Sequence, residues 1–98
     1  MKDHAAKCKT VRTEVRRVDG IEYRYELTER ENTSVAGFGL PLYSVAVMME
    51  SEESGKRSHG RTTELFSDIK KAVHFFEKLV SNLATPIDLA YIVEDELN

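Results

Sequence analysis

The sequence predicts an α+β domain: an antiparallel β-meander of three or four strands, followed by two C-terminal α-helices packed on one face of the sheet. Two patterns support this prediction. Apolar and polar residues alternate through 10–16 and 21–27, which is typical of strands with one buried face, and 43–49 is predicted to be a further strand. Beyond residue 67, apolar residues recur instead at the three- and four-residue spacing of helices, over 68–84 and again over 86–97.

The first two predicted strands are joined by a hairpin at 18–20. A two-residue turn there would place Arg16 opposite Tyr23 and so mix charged groups into the apolar face. A three-residue loop with its glycine left-handed instead pairs Val15 with Tyr23 and sets opposite charges against each other on the other face. We therefore expect the three-residue loop.

The third strand is predicted over 43–49 and is apolar on both sides, so it should lie at the centre of the sheet. Residues 50–60 are polar and charged and are predicted to form a loop, followed by a short fourth strand over 61–66. The segment 28–41 is interrupted by glycines and a proline, so we expect it to be a flexible connection.

Both predicted helices have a start signal. Ser67 is the expected cap of the first helix, and Phe75 lies at the edge of that helix's apolar stripe. Thr85 is the expected cap of the second helix, with Pro86 at the first helical position and Asp88 three residues after the cap. The predicted core face of the second helix consists of Ile87, Leu89, Ala90, Val93 and Leu97.

The composition limits the class of protein. The chain has 98 residues, enough for one domain, and its net charge of −3 argues against general nucleic-acid affinity. No apolar run approaches the roughly 20 residues of a membrane span. Cys8 is the single cysteine, which predicts a reducing, cytoplasmic location. Residues 1–9 have no periodicity and are expected to be a disordered tail, which leaves 10–98 as one domain.

The sequence contains no recognisable catalytic or metal-binding motif. His4, His59 and His74 each lack a second ligand at metal-binding spacing, and no Ser/His/Asp or Cys/His set is present. We therefore predict that the protein is not an enzyme and needs no cofactor or metal. An enzyme of unrecognised type remains an alternative.

The two ends of the chain carry opposite charge. Residues 1–17 hold six basic groups and two acidic ones, whereas residues 85–98 hold four acidic groups and no basic one. We expect the two ends to attract each other across the fold, and two separate binding faces are the alternative. In the last helix, Ile92 is expected on the solvent side between Asp88 and Glu96. The carboxylates that follow it oppose the helix dipole, a local misfit that indicates a partner.

These features predict a non-catalytic protein-interaction or regulatory module that binds an unknown protein or a second copy of itself. The predicted contact residues are Ile92, Glu94, Asp95 and Glu96. The alternative is weak nucleic-acid binding through the N-terminal lysines and the basic loop at 56–61, with Lys56, Arg57, His59 and Arg61. A solvated hairpin tip is the favoured interpretation of that loop, because no aromatic residue lies nearby for base stacking.

The ending Thr85-Pro86-Ile87-Asp88-Leu89, followed by Ile92-Val93-Glu94-Asp95-Glu96-Leu97, resembles the closing motif of a group of small Gram-positive bacterial proteins, domain-of-unknown-function family 6514. That motif reads approximately Ser-Pro-x-His-Leu, then Val-Val-Glu-Asp-x-Leu. Asp88 stands where a histidine is usual, and Tyr43-Ser44-Val45 stands where Tyr-Gly-Ile is usual. The resemblance implies no activity. It implies that the family signature includes Pro86, Leu89, Val93, Glu94, Asp95 and Leu97.

Overall fold

The computed structural model describes residues 8–31, 41–62 and 66–97, except for the side chains of Glu31 and of residues 95–97. The predicted tail falls outside these residues up to position 7, and positions 8 and 9 belong to the first strand instead. Of the predicted connection over 28–41, residues 32–40 also lie outside the described part of the chain. Its two ends, 28–31 and 41, belong to strands instead.

Four antiparallel strands form one open sheet, and two helices follow them. The strands are β1 (Cys8–Val18), β2 (Ile21–Glu31), β3 (Pro41–Ser51) and β4 (Arg57–Arg61), and the helices are α1 (Ile69–Ser81) and α2 (Pro86–Leu97). The spatial order of the strands, β1-β2-β3-β4, is the order in the chain. The predicted α+β meander with two C-terminal helices is therefore confirmed.

The register predicted for the first hairpin is wrong. Val18 pairs with Ile21 and Arg16 pairs with Tyr23, so the turn has two residues, Asp19 and Gly20. Both have positive φ, 52° and 77°, as the mirror-image turns that match strand twist require. The charges are accommodated because β1 is an edge strand, where its side chains keep their contact with water.

The prediction for β4 is also wrong. β3 continues to Ser51, and the chain returns after a short turn in which the Ser51 amide donates to the Lys56 carbonyl at 2.9 Å. Glu50 then pairs with Arg57, so the fourth strand starts within the segment predicted to be a loop. Of the strand predicted over 61–66, only Arg61 belongs to β4, and residues 63–65 lie outside the described residues.

The core lies between the helices and one face of the sheet. It is formed by side chains with no exposed surface from β2, β3 and α1: Tyr25, Leu27, Val45, Val47, Phe75, Phe76 and Leu79. The helix α1 packs against β2 and β3, whereas α2 packs against β4 and β3. No helix in the described part of the chain is long and apolar enough to cross a membrane.

The first helix departs from its prediction at three points. Its cap is Asp68 rather than Ser67, because the Asp68 carboxylate accepts a hydrogen bond of 2.8 Å from the Lys70 amide. It ends at Ser81, short of the predicted end at Ala84. Phe75 is fully buried instead of lying at the edge of the stripe, and its ring centre lies 5.3 Å from that of Phe66.

Candidate interaction surface

Reciprocal hydrogen bonds fix the start of α2. The Thr85 amide donates to Asp88 Oδ2, and the Asp88 amide donates to Thr85 Oγ1, each at 3.1 Å. This is a capping box with aspartate in place of the more common glutamate, and it satisfies two amides at the helix start. The helix start predicted from the sequence is therefore confirmed.

Close packing sets how α2 is rotated against the sheet. A Cβ atom added at Gly60 of β4 would lie 3.1 Å from the Pro86 carbonyl oxygen and 3.2 Å from the Pro86 Cα atom, so the backbones touch here. Just before the helix, the Ala84 carbonyl accepts a hydrogen bond of 2.8 Å from the buried hydroxyl of Tyr25. These two contacts determine which side of α2 faces the core.

The buried side of α2 differs from the predicted one. Leu89 is 3% exposed, and Ile92 and Val93 are half-buried against the core. The sequence pattern places Ile92 on the solvent side and Ile87 and Ala90 in the core. These expectations are wrong, because Ile92 packs against the core and the other two residues are exposed. The apolar residues of this helix surround it almost completely, so their spacing does not define one face, and the contacts of Pro86 and Ala84 decide it.

The solvent side of α2 carries large apolar side chains. Ile87 is 74% exposed and Tyr91 is 68% exposed, and the two lie one helical turn apart. Ala90 and Glu94 are exposed on the same side of the helix. We call these four residues, Ile87, Ala90, Tyr91 and Glu94, the α2 stripe. It is the part of the predicted interaction helix that is open to a partner.

The carboxylates of α2 are only partly described. Asp88 is exposed and belongs to the capping box, and Glu94 is exposed and has an interaction of its own. The backbone of Asp95, Glu96 and Leu97 is helical, but their side chains lie outside the described residues. The roles predicted for Asp95 and Glu96 therefore stay predictions.

The basic residues predicted as a nucleic-acid loop lie on a strand instead. Arg57, His59 and Arg61 belong to β4 and alternate along the face of the sheet opposite the core. The Nε atom of Arg57 lies 3.3 Å from a carboxylate oxygen of Glu50. Lys56 lies in the preceding turn and is exposed. The basic run is therefore split between a turn and an edge strand.

A shallow depression of about 380 Å³ lies on the same face of the sheet. It is lined by residues of both charges and by methionine: Glu22, Arg24, Glu26, Met48, Met49, Glu50, Arg57, Ser58 and His59. The lining contains no Phe, Tyr or Trp side chain for base stacking, and its carboxylates would repel phosphate. Nothing in this surface selects for one ligand.

The basic residues of β1 have carboxylate partners close to them. Arg12 Nη1 lies 3.0 Å from a Glu77 carboxylate oxygen on α1, and its guanidinium lies 5.5 Å from the centre of the Phe76 ring. Arg16 and Arg12 both bond Glu14 and together lower the pKa of its carboxyl group. The pKa of Arg12 is raised, mainly by its hydrogen bond to Glu77.

The basic side chains of β1 are not held by the acidic end of the chain, although the sequence predicts an attraction between the two ends. The outer basic residues Lys9 and Arg17 pair with Glu29 and Glu22 of β2. The helix α2 packs instead over β4 and β3, at the other side of the strand order. The basic side of β1 and the acidic side of α2 are therefore separate surfaces.

The described residues show no site for a metal ion. They contain no group of three or more His, Cys, Asp or Glu side chains that could hold a metal ion. Cys8 is an exposed free thiol. The predictions that the protein has no metal and no catalytic activity stay predictions.

The comparisons with known proteins agree with the resemblance of the C-terminal motif. The match to a family of unknown function, DUF6514, covers residues 5–98. No curated protein and no solved structure matches the chain. Of the signature residues, Pro86 touches the backbone of β4, and Leu89 and Val93 pack against the core. Because the match covers almost the whole length, the chain belongs to the family of unknown function DUF6514.

Proposed function

We propose that the protein is a non-catalytic protein-interaction module and that the α2 stripe is its contact surface. The observation that carries this proposal is the exposure of Ile87 and Tyr91, 74% and 68%, on one side of a helix whose other side is packed against the core. Single exposed apolar residues are common, but two large ones one turn apart form a continuous patch.

The energetics favour a binding role for this patch. Full burial of a large apolar side chain contributes about 1.5–3 kcal/mol, and tyrosine is enriched among the residues that dominate interfaces. The capping box at Thr85 and Asp88 and the close packing of Pro86 hold the helix rigidly. A partner would therefore bind a preformed surface and lose little free energy to ordering it.

The alternatives have less support. Nucleic-acid binding through β4 would have to compete with the pairing of Arg57 and Glu50 on a surface of mixed charge. An enzyme needs a convergent set of polar groups in a site that excludes water, whereas the depression beside His59 is shallow and open. A reducing compartment fits the free thiol of Cys8, and we place the protein in the cytoplasm on that basis.

A photo-cross-linking experiment in the native cells tests the proposal. Tyr91 is replaced by the photoreactive residue p-benzoylphenylalanine, and the matched control carries it at Lys71, an exposed position on α1. We expect discrete adducts from position 91 that mass spectrometry can identify and that the further substitution Ile87→Ser abolishes. Absence of adducts at position 91, or the same adducts from both positions, would overturn the proposal.

A further inference from the structure

We infer that the free edge of β4 is a second contact surface, and that it binds an extended segment of another protein in which acidic residues alternate with apolar ones. The segment joins the sheet as a further strand beside β4, which is the last strand of the observed order. This surface is separate from the α2 stripe, so the inference goes beyond the proposed function and does not rest on it.

The backbone of β4 bonds to β3 at every second residue. The Ser51 amide donates to the Lys56 carbonyl and the Thr62 amide donates to the Val45 carbonyl, each at 2.9 Å, and the register between these two pairs is regular. In an antiparallel pair, the residues between such bonds direct their amide and carbonyl groups away from the neighbouring strand. The residues of β4 with outward backbone groups are therefore Arg57, His59 and Arg61.

The opposite edge of the sheet is protected against a further strand. The strand β1 has a bulge between Thr10 and Arg12, and the Arg16 guanidinium donates a hydrogen bond of 3.0 Å to the Val15 carbonyl. A bulge twists an edge away from a further strand, and a carbonyl that is already bonded is not available to one. Because β4 has a regular register, its own protection consists of charge alone.

The side chains along the β4 edge are basic. Arg57, His59 and Arg61 are exposed and lie on the face of the sheet opposite the core. Arg57 pairs with Glu50, but this pair is exposed and so contributes little to stability. Within the described residues, no carboxylate pairs with Arg61. A strand added here sets every second residue beside one of these side chains, and opposite charges stabilise such cross-strand pairs.

Charge and backbone chemistry together select the occupant. A second copy of β4 in symmetric antiparallel pairing would set Arg57 against Arg61 twice, and like charges in direct opposition are destabilising. The strand β1 of a second copy carries four basic residues and one acidic residue, so it fits no better. A nucleic acid supplies negative charge but no amide groups for the outward carbonyls. An acidic extended segment satisfies both the backbone and the side chains of this edge.

The other side of the added strand calls for apolar residues. On the core side of β4, the backbone of Pro86 lies so close to Gly60 that an added Cβ would be 3.2 Å from the Pro86 Cα atom. Side chains of the added strand that face this side lie beside Ser58 and Gly60, where the half-buried Pro86 offers an apolar contact. Acidic residues on one face and apolar residues on the other give the alternating pattern of the partner.

Synthetic peptides test the inference with the isotope-labelled full chain. The first peptide has capped ends and the sequence Glu-Val-Thr-Val-Glu. Two further peptides carry one methyl group on a backbone nitrogen, either of the threonine or of the second valine. With the glutamates beside Arg57 and Arg61, the threonine amide points toward β4 and the valine amides point away from it. We expect the unmodified and valine-methylated peptides to bind with Kd below about 1 mM, and threonine methylation to weaken binding at least about tenfold.

The amide chemical shifts of the protein report where the peptide binds. The largest changes are expected at Arg57, His59 and Arg61, because their amides gain hydrogen bonds. Changes centred on β1 or on the α2 stripe, or no change at about 2 mM peptide, overturn the inference. Equal binding of the two methylated peptides also overturns it, because charge alone then attracts the peptide. A single-stranded oligonucleotide that shifts these amides when the peptides do not would instead assign the edge to nucleic acid.

A charge exchange tests the acidic character of the partner. The double substitution Arg57→Glu with Arg61→Glu is expected to weaken binding of the glutamate peptide at least about fivefold and to create binding of Lys-Val-Thr-Val-Lys. The matched control is Arg17→Glu, the same charge change at the opposite edge of the sheet, which should leave binding unchanged. Circular dichroism establishes that each variant is folded, and the methylated peptides need only the wild type. A folded double variant that still prefers the glutamate peptide overturns the assignment of an acidic partner.

Discussion

The buried hydroxyl of Tyr25 in β2 donates a hydrogen bond of 2.8 Å to the carbonyl oxygen of Ala84, the residue before the capping box of α2. Tyr25 has no exposed surface, and Ala84 is 2% exposed. The bond therefore links the centre of the sheet to the junction between the two helices at a point that water does not reach. It also helps to set the rotation of α2 and thus the exposure of Ile87 and Tyr91.

Replacement of Tyr25 by phenylalanine is expected to lower the free energy of unfolding by about 1–3 kcal/mol, because the carbonyl of Ala84 loses its partner while buried. Urea denaturation followed by circular dichroism measures the change. The matched control is Tyr91→Phe, which removes a hydroxyl from a side chain that is 68% exposed. Its effect is expected to stay within about 0.5 kcal/mol. Equal effects of the two substitutions would contradict the role of the buried bond.

The stability of the protein is expected to fall at alkaline pH. Burial raises the pKa of Tyr25 to about 12, above its ordinary value of 10.0. A group whose pKa is raised by folding contributes stability that is fully present below the unfolded pKa and is lost as pH rises through the folded value. The loss from Tyr25 is therefore expected between about pH 10 and pH 12.

Urea titrations at a series of alkaline pH values measure this loss. Tyr25→Phe is expected to flatten the pH dependence only in part, because burial also raises the pKa of Tyr43. The exposed Tyr91→Phe variant is the control and should keep the wild-type profile. A profile unchanged by Tyr25→Phe would show that the Tyr25 hydroxyl does not titrate in this way.

Substitution of Gly60 by alanine is expected to destabilise the protein by about 1–3 kcal/mol, the usual cost of overpacking. The added Cβ would lie 3.1 Å from the carbonyl oxygen of Pro86, a backbone atom that cannot move without shifting α2. Thermal unfolding measures the effect, with Ser58→Ala at an exposed position of β4 as the control. A neutral Gly60→Ala would mean that α2 is free to move away from β4.

The capping box gives a prediction for the start of α2. Thr85→Ala removes the oxygen that accepts the Asp88 amide and is expected to cost about 0.5–2 kcal/mol. Thr85→Ser keeps the hydroxyl and should retain most of the stability. Urea denaturation compares the two variants. If serine and alanine proved equally destabilising, the methyl group rather than the hydrogen bond would be responsible.

The first three strands and the two helices were predictable from local patterns, because strands and helices bury residues at different spacings along the chain. The polar sequence of β4 gave no such pattern. The central position of β3 was also predictable. Its second side is apolar, and Ala46 on that side is only 2% exposed. The start of α2 was predictable because its signals, Thr85, Pro86 and Asp88, all lie within one turn.

The hairpin register was not predictable by the same reasoning. Side-chain matching assumes that β1 is buried on one face like the rest of the sheet, but β1 lies at an edge that the helices do not cover. Arg12 and Arg16 therefore share a face with Tyr23 and Tyr25 and still reach water or carboxylates such as Glu77. The local preference of Asp19 and Gly20 for a two-residue turn then decides the register.

The rotation of the last helix, and so which of its side chains are exposed, was not predictable from the sequence. The charge and capping signals indicated the last helix, whereas its rotation depends on Gly60 and Tyr25, which are distant in the sequence. No local signal in 86–97 distinguishes Ile87 from Ile92. A glycine in a strand is a known sign of close backbone approach, but Gly60 was assigned to a predicted loop, so this sign was missed.

The order of the strands has a consequence for how the chain acquires its structure. Each strand pairs with its neighbour in the chain, so the sheet is assembled through short-range closures that are fast. The bond between Tyr25 and Ala84 instead spans 59 positions and can form only when the segment between the two helices reaches the sheet. We therefore expect the docking of the helical layer onto the sheet to be the slowest step of folding. Before that step, the hairpins β1–β2 and β3–β4 are formed but their tyrosines and valines are still exposed to water.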